Sequence, residues 1–98
     1  MNKSISIIGY NQKYAKDFRD LNIDWLKKFF YVEPYDKEVL GNPQTYILDK
    51  GGYIFFAKLE NQIVGTVALI NDEECYELSK MAVSPKYQGL KNTFKSLF

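Results

Sequence analysis

Residues 53–83, YIFFAKLENQIVGTVALINDEECYELSKMAV, hold three apolar runs separated by two short polar gaps. The runs are Tyr53–Leu59, Ile63–Ile70 and Cys75–Val83, rich in the β-branched and aromatic residues that suit a pleated surface. The gaps, ENQ and NDEE, are too short for a crossover, so each run must turn back on the one before it. An antiparallel β-meander is therefore predicted. Gly51 and Gly52 supply a flexible break just ahead of it.

Toward the N-terminus, Ser4–Ile8 reads as a first strand that Gly9 ends, and Asn11 is placed to cap a helix. Within Gln12–Tyr31, Tyr14, Phe18, Leu21, Trp25 and Phe29 recur at steps of three and four, the spacing of one helical face. An aromatic stripe of that kind predicts core packing, with Trp25 and Phe29 buried against the sheet. Pro34 and Pro43 bracket a shorter helix around Asp36–Leu40, with Gly41 as its cap. Toward the C-terminus, Leu90, Phe94, Leu97 and Phe98 sit at helical spacing. The order predicts an α+β fold: an antiparallel meander with helices packed on the sheet, residues 1–98 forming a single domain.

The bulk composition supports a folded core and excludes several function classes. Hydrophobic residues make up 46% of the 98, including eight tyrosines and seven phenylalanines, which excludes disorder. The net charge is +1 and forms no basic patch, so neither nucleic acid nor a membrane surface is expected as a partner. With no histidine in the chain, His-based triads and most zinc sites are out of reach, and no metal is expected. The lone Cys75 lacks a histidine base and stands in a strand-like run, so it is expected to be a half-buried structural thiol. The apolar stretch at the N-terminus is too short for a signal peptide or a membrane span, and a cytoplasmic location is expected.

The stretches IVGTVALI and YELSKMAVSPKYQG, with the spacing between them, closely resemble the first half of the GNAT superfamily of N-acetyltransferases. The resemblance covers essentially the whole chain and is strongest at Glu77–Gly89. It implies the N-terminal portion of an acyl-CoA N-acyltransferase fold, ending within the cofactor motif, with acetyl-CoA as donor and a primary amine on a small molecule or peptide as acceptor. The backbone of Met81, Ala82 and Val83 is then expected to pair with the pantetheine arm as an added strand. Gln88, Gly89, Leu90, Lys91, Asn92 and Thr93 are expected to hold the pyrophosphate at a helix N-terminus. The family pattern there is Gln or Arg, two residues, Gly, one residue, then Gly or Ala. Gln88 keeps the first place, whereas Lys91 and Thr93 fill the two small ones.

Acetyl transfer to an amine needs a base and an oxyanion donor. Strict alternation places Glu77, Ser79, Met81 and Val83 on one strand face, and Glu77 stands where some family members carry their general base. Glu77 read instead as a solvated strand-end charge pairs with Lys58 or Lys80. Glu33, in the loop after the first helix, is the second catalytic candidate. The N–H of Met81 or Ala82 is the oxyanion donor that the resemblance implies. An alternative function is a non-catalytic interaction domain that binds no cofactor. Its exposed edge strand Cys75–Val83 would pair with a second copy to give a homodimer.

Overall fold

The computed structural model describes residues 5–87 and 89–97, with the backbone alone at positions 90, 91, 95 and 97. The first strand, β1, is Ile5–Gly9. Asn11 closes it, its side chain accepting a 3.0 Å hydrogen bond from the Lys13 N–H. That cap starts a short 3-10 turn at Gln12–Tyr14, which runs into α1, Ala15–Phe29. Pro34 opens α2, Pro34–Gly41, and the Glu33 N–H donates to the Asp36 carboxylate at 3.0 Å. Gly41 is not the cap expected of it. The helix ends at Asn42, whose side-chain amide turns back to the Glu38 carbonyl at 2.9 Å.

A π-helical turn, Gln44–Leu48, follows and was not foreseen. The Asp49 N–H reaches the Gln44 carbonyl at 2.7 Å, five residues back, and the turn exists to drive Ile47 into the core. Gly52 then passes so close to its neighbours that an added Cβ would sit 2.6 Å from the Leu69 carbonyl oxygen. Only glycine fits there.

The meander forms as predicted. Strands β2 (Tyr53–Leu59), β3 (Gln62–Asn71) and β4 (Tyr76–Val83) pair antiparallel in sequence, and β1 adds to the far side of β2. The order β1-β2-β3-β4 leaves β4 at an edge. Cys75 precedes β4, in the turn where the Asp72 N–H reaches its carbonyl, and it is exposed. The expectation of a half-buried thiol fails because β4 starts one residue later than the apolar run suggested.

Each sheet face carries its own core. On one, Phe18 of α1, Val39 and Leu40 of α2 and Ile47 pack on Ile54, Phe56 and Ala68. On the other, the C-terminal helix α3 (Leu90–Leu97) sets Phe94 among Ala57, Val64, Val67 and Val83. Gly65 makes room for that ring, which would lie 3.1 Å from an added Cβ. Fully burying an aromatic or aliphatic side chain contributes about 1.5–3 kcal/mol, so these two layers account for most of what holds the chain folded. The rest of the predicted C-terminal stripe, the side chains of Leu90 and Leu97 together with Phe98, lies outside the described residues.

Phe29 corrects the stripe prediction. Phe18 is fully buried, while Phe29 is 57% exposed and Trp25 only half-buried. The last two turns of α1 lie along the end of β4, and no further strand extends beneath them among the described residues. The periodicity identified the helix face correctly, but the sheet stops before the helix does.

Candidate functional site

β4 is interrupted midway. Ala68 pairs with Ser79 and Thr66 with Ala82, so Lys80 and Met81 together face the single residue Val67. This is a β-bulge, and Lys80 takes the left-handed conformation, φ 50°, to make it. The bulge overturns the strict alternation expected of the strand. Glu77, Ser79 and Ala82 share the face of α1 and α2, paired in register with Ile70, Ala68 and Thr66. Leu78, Met81 and Val83 pack into the core beneath α3.

Beyond the bulge the strand presents a backbone edge that no described strand pairs. The Ser84 N–H donates to the Val64 carbonyl at 2.8 Å, fixing which way each peptide points. Alternation then turns the Ala82 N–H toward β3 and the Val83 N–H outward. Ser84 leads into a 3-10 turn, Pro85–Tyr87, where the Tyr87 N–H returns to the Ser84 carbonyl at 2.8 Å. Gly89 precedes α3 and accepts from the Asn92 N–H at 3.2 Å. The start of α3, ahead of the bonded Asn92 N–H, thus follows the strand edge by one 3-10 turn.

A cleft of about 360 Å³ opens at this point between α1 and the end of β4. Leu21, Asp24, Trp25, Lys27, Lys28 and Phe29 form its helix wall. Val83, Ser84 and Pro85 form the strand wall. Trp25 and Phe29 lie with ring centroids 4.3 Å apart.

Of the residues anticipated from sequence, Val83 lines this cleft. Ala82 is buried and Met81 half-buried beside it. Gly89, Asn92 and Thr93 are exposed at the start of α3. Gln88 and the side chains of Leu90 and Lys91 lie outside the described residues. Glu77 is exposed near the start of β4, with no ion pair to Lys58 or Lys80 among the described residues. Glu33 is exposed at the head of α2. Neither carboxylate lines the cleft. Asp24 does, and the sequence reading missed it along with Lys27, Lys28 and Ser84. The one available signal was the predicted helical stripe, which continues past the last sheet residue able to cover it.

Perturbed tyrosines lie elsewhere. Lys58, hydrogen-bonded to Tyr14, lowers that phenol's pKa, with Lys13 adding to the effect. The Tyr46 hydroxyl donates to the Glu38 carboxylate at 2.6 Å, which raises its pKa. Both belong to the helix layer, away from the cleft. Among the described residues no group of acidic or cysteine side chains is placed to hold a metal ion, and no helix is long and apolar enough to cross a membrane.

Known proteins give this geometry a context. The model of the acetyltransferase (GNAT) family matches residues 15–91. An acetyltransferase of the GNAT family from Staphylococcus aureus superposes with a TM-score of 0.78 at 31% identity, over 96% of this chain and 61% of that one. A predicted acetyltransferase from Clostridium acetobutylicum, solved with acetyl-CoA, gives 0.70 at 14% identity over 96% and 69% of the two chains. Spermidine N-acetyltransferase from Vibrio cholerae, solved with CoA and spermine, gives 0.56 at 19% identity over 87% and 54%. The chain thus spans about three-fifths of the length of the S. aureus protein. No curated protein matches the sequence significantly.

Proposed function

The chain belongs to the GNAT acetyltransferase family, and from that premise we propose that it serves an N-acetyltransferase using acetyl-CoA and a primary amine. The observation that carries the proposal is the outward Val83 edge, which opens onto the α1–β4 cleft and is joined through the Pro85–Tyr87 turn to the N-terminus of α3. An extended ligand rich in amides pairs with such an edge as an added strand. Its phosphates then meet the N–H groups and the positive dipole end of α3 at Gly89–Thr93. When bound, acetyl-CoA supplies an activated thioester.

The chain's own residues set up the remainder. Ala82 spends its N–H on β3, which leaves Met81, at the bulge, as the oxyanion donor. The acceptor amine must lose a proton as its nitrogen attacks. Glu77 takes that proton through water, from the strand face that also carries Ser79 and Ala82. Glu33 is the second candidate, from the α1–α2 connection. Acetyl transfer from a bound acetyl-CoA would release the coenzyme as its thiol, with the proton drawn from solvent. A second reading, a non-catalytic domain that self-associates, draws on the same open edge of β4.

Calorimetry with coenzyme A separates the two. In the family pattern small residues stand where Lys91 and Thr93 occur, and a side chain there holds the phosphates off the backbone. A lysine–phosphate contact in water contributes about 1 kcal/mol or less. Each hydrogen bond lost to a charged group costs roughly 1.5–3 kcal/mol. Sterics therefore win, and Lys91→Gly with Thr93→Gly strengthens coenzyme A binding. An absence of heat in both the native chain and the double variant contradicts the proposal.

A further inference from the structure

We propose that Tyr14, Lys13 and Lys58 form a binding site for a tetrahedral dianion of the phosphate class, at the β1 side of the sheet and apart from the α1–β4 cleft. The site stands independently of the acetyltransferase reading. Lys58 lies near the end of β2 on the face that carries Phe56, and the 3-10 turn before α1 brings Tyr14 over it. The Tyr14 ring stands edge-on to Phe56 with centroids 5.6 Å apart, which holds the phenol in place. The Lys13 ammonium lies 5.1 Å and the Lys58 ammonium 5.8 Å from the same ring centroid. Ser6 pairs with Lys58 across β1 and β2, so its hydroxyl shares that face.

The side chains gathered there are rich in donors. Lys58 donates a hydrogen bond to the Tyr14 oxygen, which leaves the phenol hydrogen and the remaining ammonium hydrogens for a ligand. Charges withdrawn from water are ordinarily paired with an opposite charge. Half-buried Lys58 has a phenol beside it and, among the described residues, no carboxylate within ion-pair distance. Asp17 and Glu60, the acidic residues nearest in sequence, pair with neither lysine among the described residues. Cation–π attraction accounts for one lysine at the ring. It accounts less well for two, because like charges drawn to one ring repel each other. The Lys58 hydrogen bond, with the Lys13 charge adding to it, holds the phenol's pKa below its ordinary value, so the local potential favours negative charge. A dianion with four oxygens accepts from both ammonium groups and the phenol at once and offsets both positive charges. A carboxylate brings half that charge.

The test is an NMR titration of the labelled chain at constant ionic strength and about pH 8, where a phosphate monoester, with its second pKa of about 6, is dianionic. The probes are inorganic phosphate, glycerol 3-phosphate, sulfate and acetate. Phosphate and sulfate are expected to give saturable shifts at Ser6, Lys13, Tyr14 and Lys58, and to raise the Tyr14 phenol pKa as negative charge arrives beside it. Tyr14→Phe identifies that phenol among the eight tyrosines. Acetate is expected to bind about fivefold or more weakly, the factor one exposed charge contact supplies. Lys13→Met, at an exposed position, is expected to weaken phosphate by about the same factor, and Lys13→Arg to restore it. Adding Lys58→Met to Lys13→Met, with folding verified by circular dichroism, is expected to abolish the saturable response. Glycerol 3-phosphate binding as tightly as inorganic phosphate assigns the site to a phosphate monoester, whereas binding of inorganic phosphate alone assigns it to the free ion. Equal binding of acetate and phosphate overturns the proposal. So do shifts as large at the exposed Lys16 and Lys37 as at Lys13 and Lys58, which mark an adventitious ion only.

Discussion

Phe18 and Phe29 occupy the same face of α1 and meet different fates, which makes them the sharpest test at the scale of single residues. Phe18 is fully buried among Leu40, Ile47 and Phe56, whereas Phe29 stands over the cleft. Phe18→Ala is expected to cost about 3–5 kcal/mol, the price of an emptied aromatic site in a packed core. Phe29→Ala is expected to cost under about 1 kcal/mol. Each kcal/mol moves the melting temperature of a domain this small by roughly 4–8 °C, so thermal melts of the two variants separate widely. Comparable melts would mean the face of α1 is misplaced. The helical period of the stripe was legible in the sequence because it is local. Where along the helix burial stops was not, since that depends on which strand lies at the sheet edge.

At the scale of elements, β4 carries the decisive irregularity. Lys80 adopts φ 50°, and the bulge it forms moves Met81 and Val83 away from the face of Glu77 and Ser79. A β-branched residue is strained in that conformation by an amount of order 1–3 kcal/mol, whereas glycine is not. Lys80→Val is therefore expected to lower the denaturation midpoint and Lys80→Gly to leave it near the native value. Equal losses in both would indicate that the lysine side chain, not its backbone, matters. The three meander strands were legible from alternation and short gaps. The bulge was not, because a period of two has no way to mark an extra residue. The π-turn at Gln44–Leu48 escaped for a similar reason: one residue beyond the helical period leaves no signature between Pro43 and Gly51.

For the whole molecule, the four described strands close two cores, and no described residue covers the β4 edge or the exposed aromatics of the α1–α2 connection. Phe30 and Tyr31 there are 67% and 78% exposed. Unpaired strand edges and exposed aromatic surface promote association. The isolated chain is accordingly expected to sediment as a dimer or larger species, and a monodisperse monomer at high concentration would contradict that. The family was legible because its strongest residues, Glu77–Gly89, are contiguous in sequence. The cleft was not, because its two walls are joined only by folding. The central claim is that coenzyme A lies along the outward edge of Val83 and ends at the N-terminus of α3. The most direct measurement is an amide NMR titration of the labelled chain with coenzyme A. The account predicts shifts at Val83, Ser84 and Gly89–Asn92 together with the Trp25 indole; an unchanged spectrum, or shifts confined to β1 and β2, would contradict it.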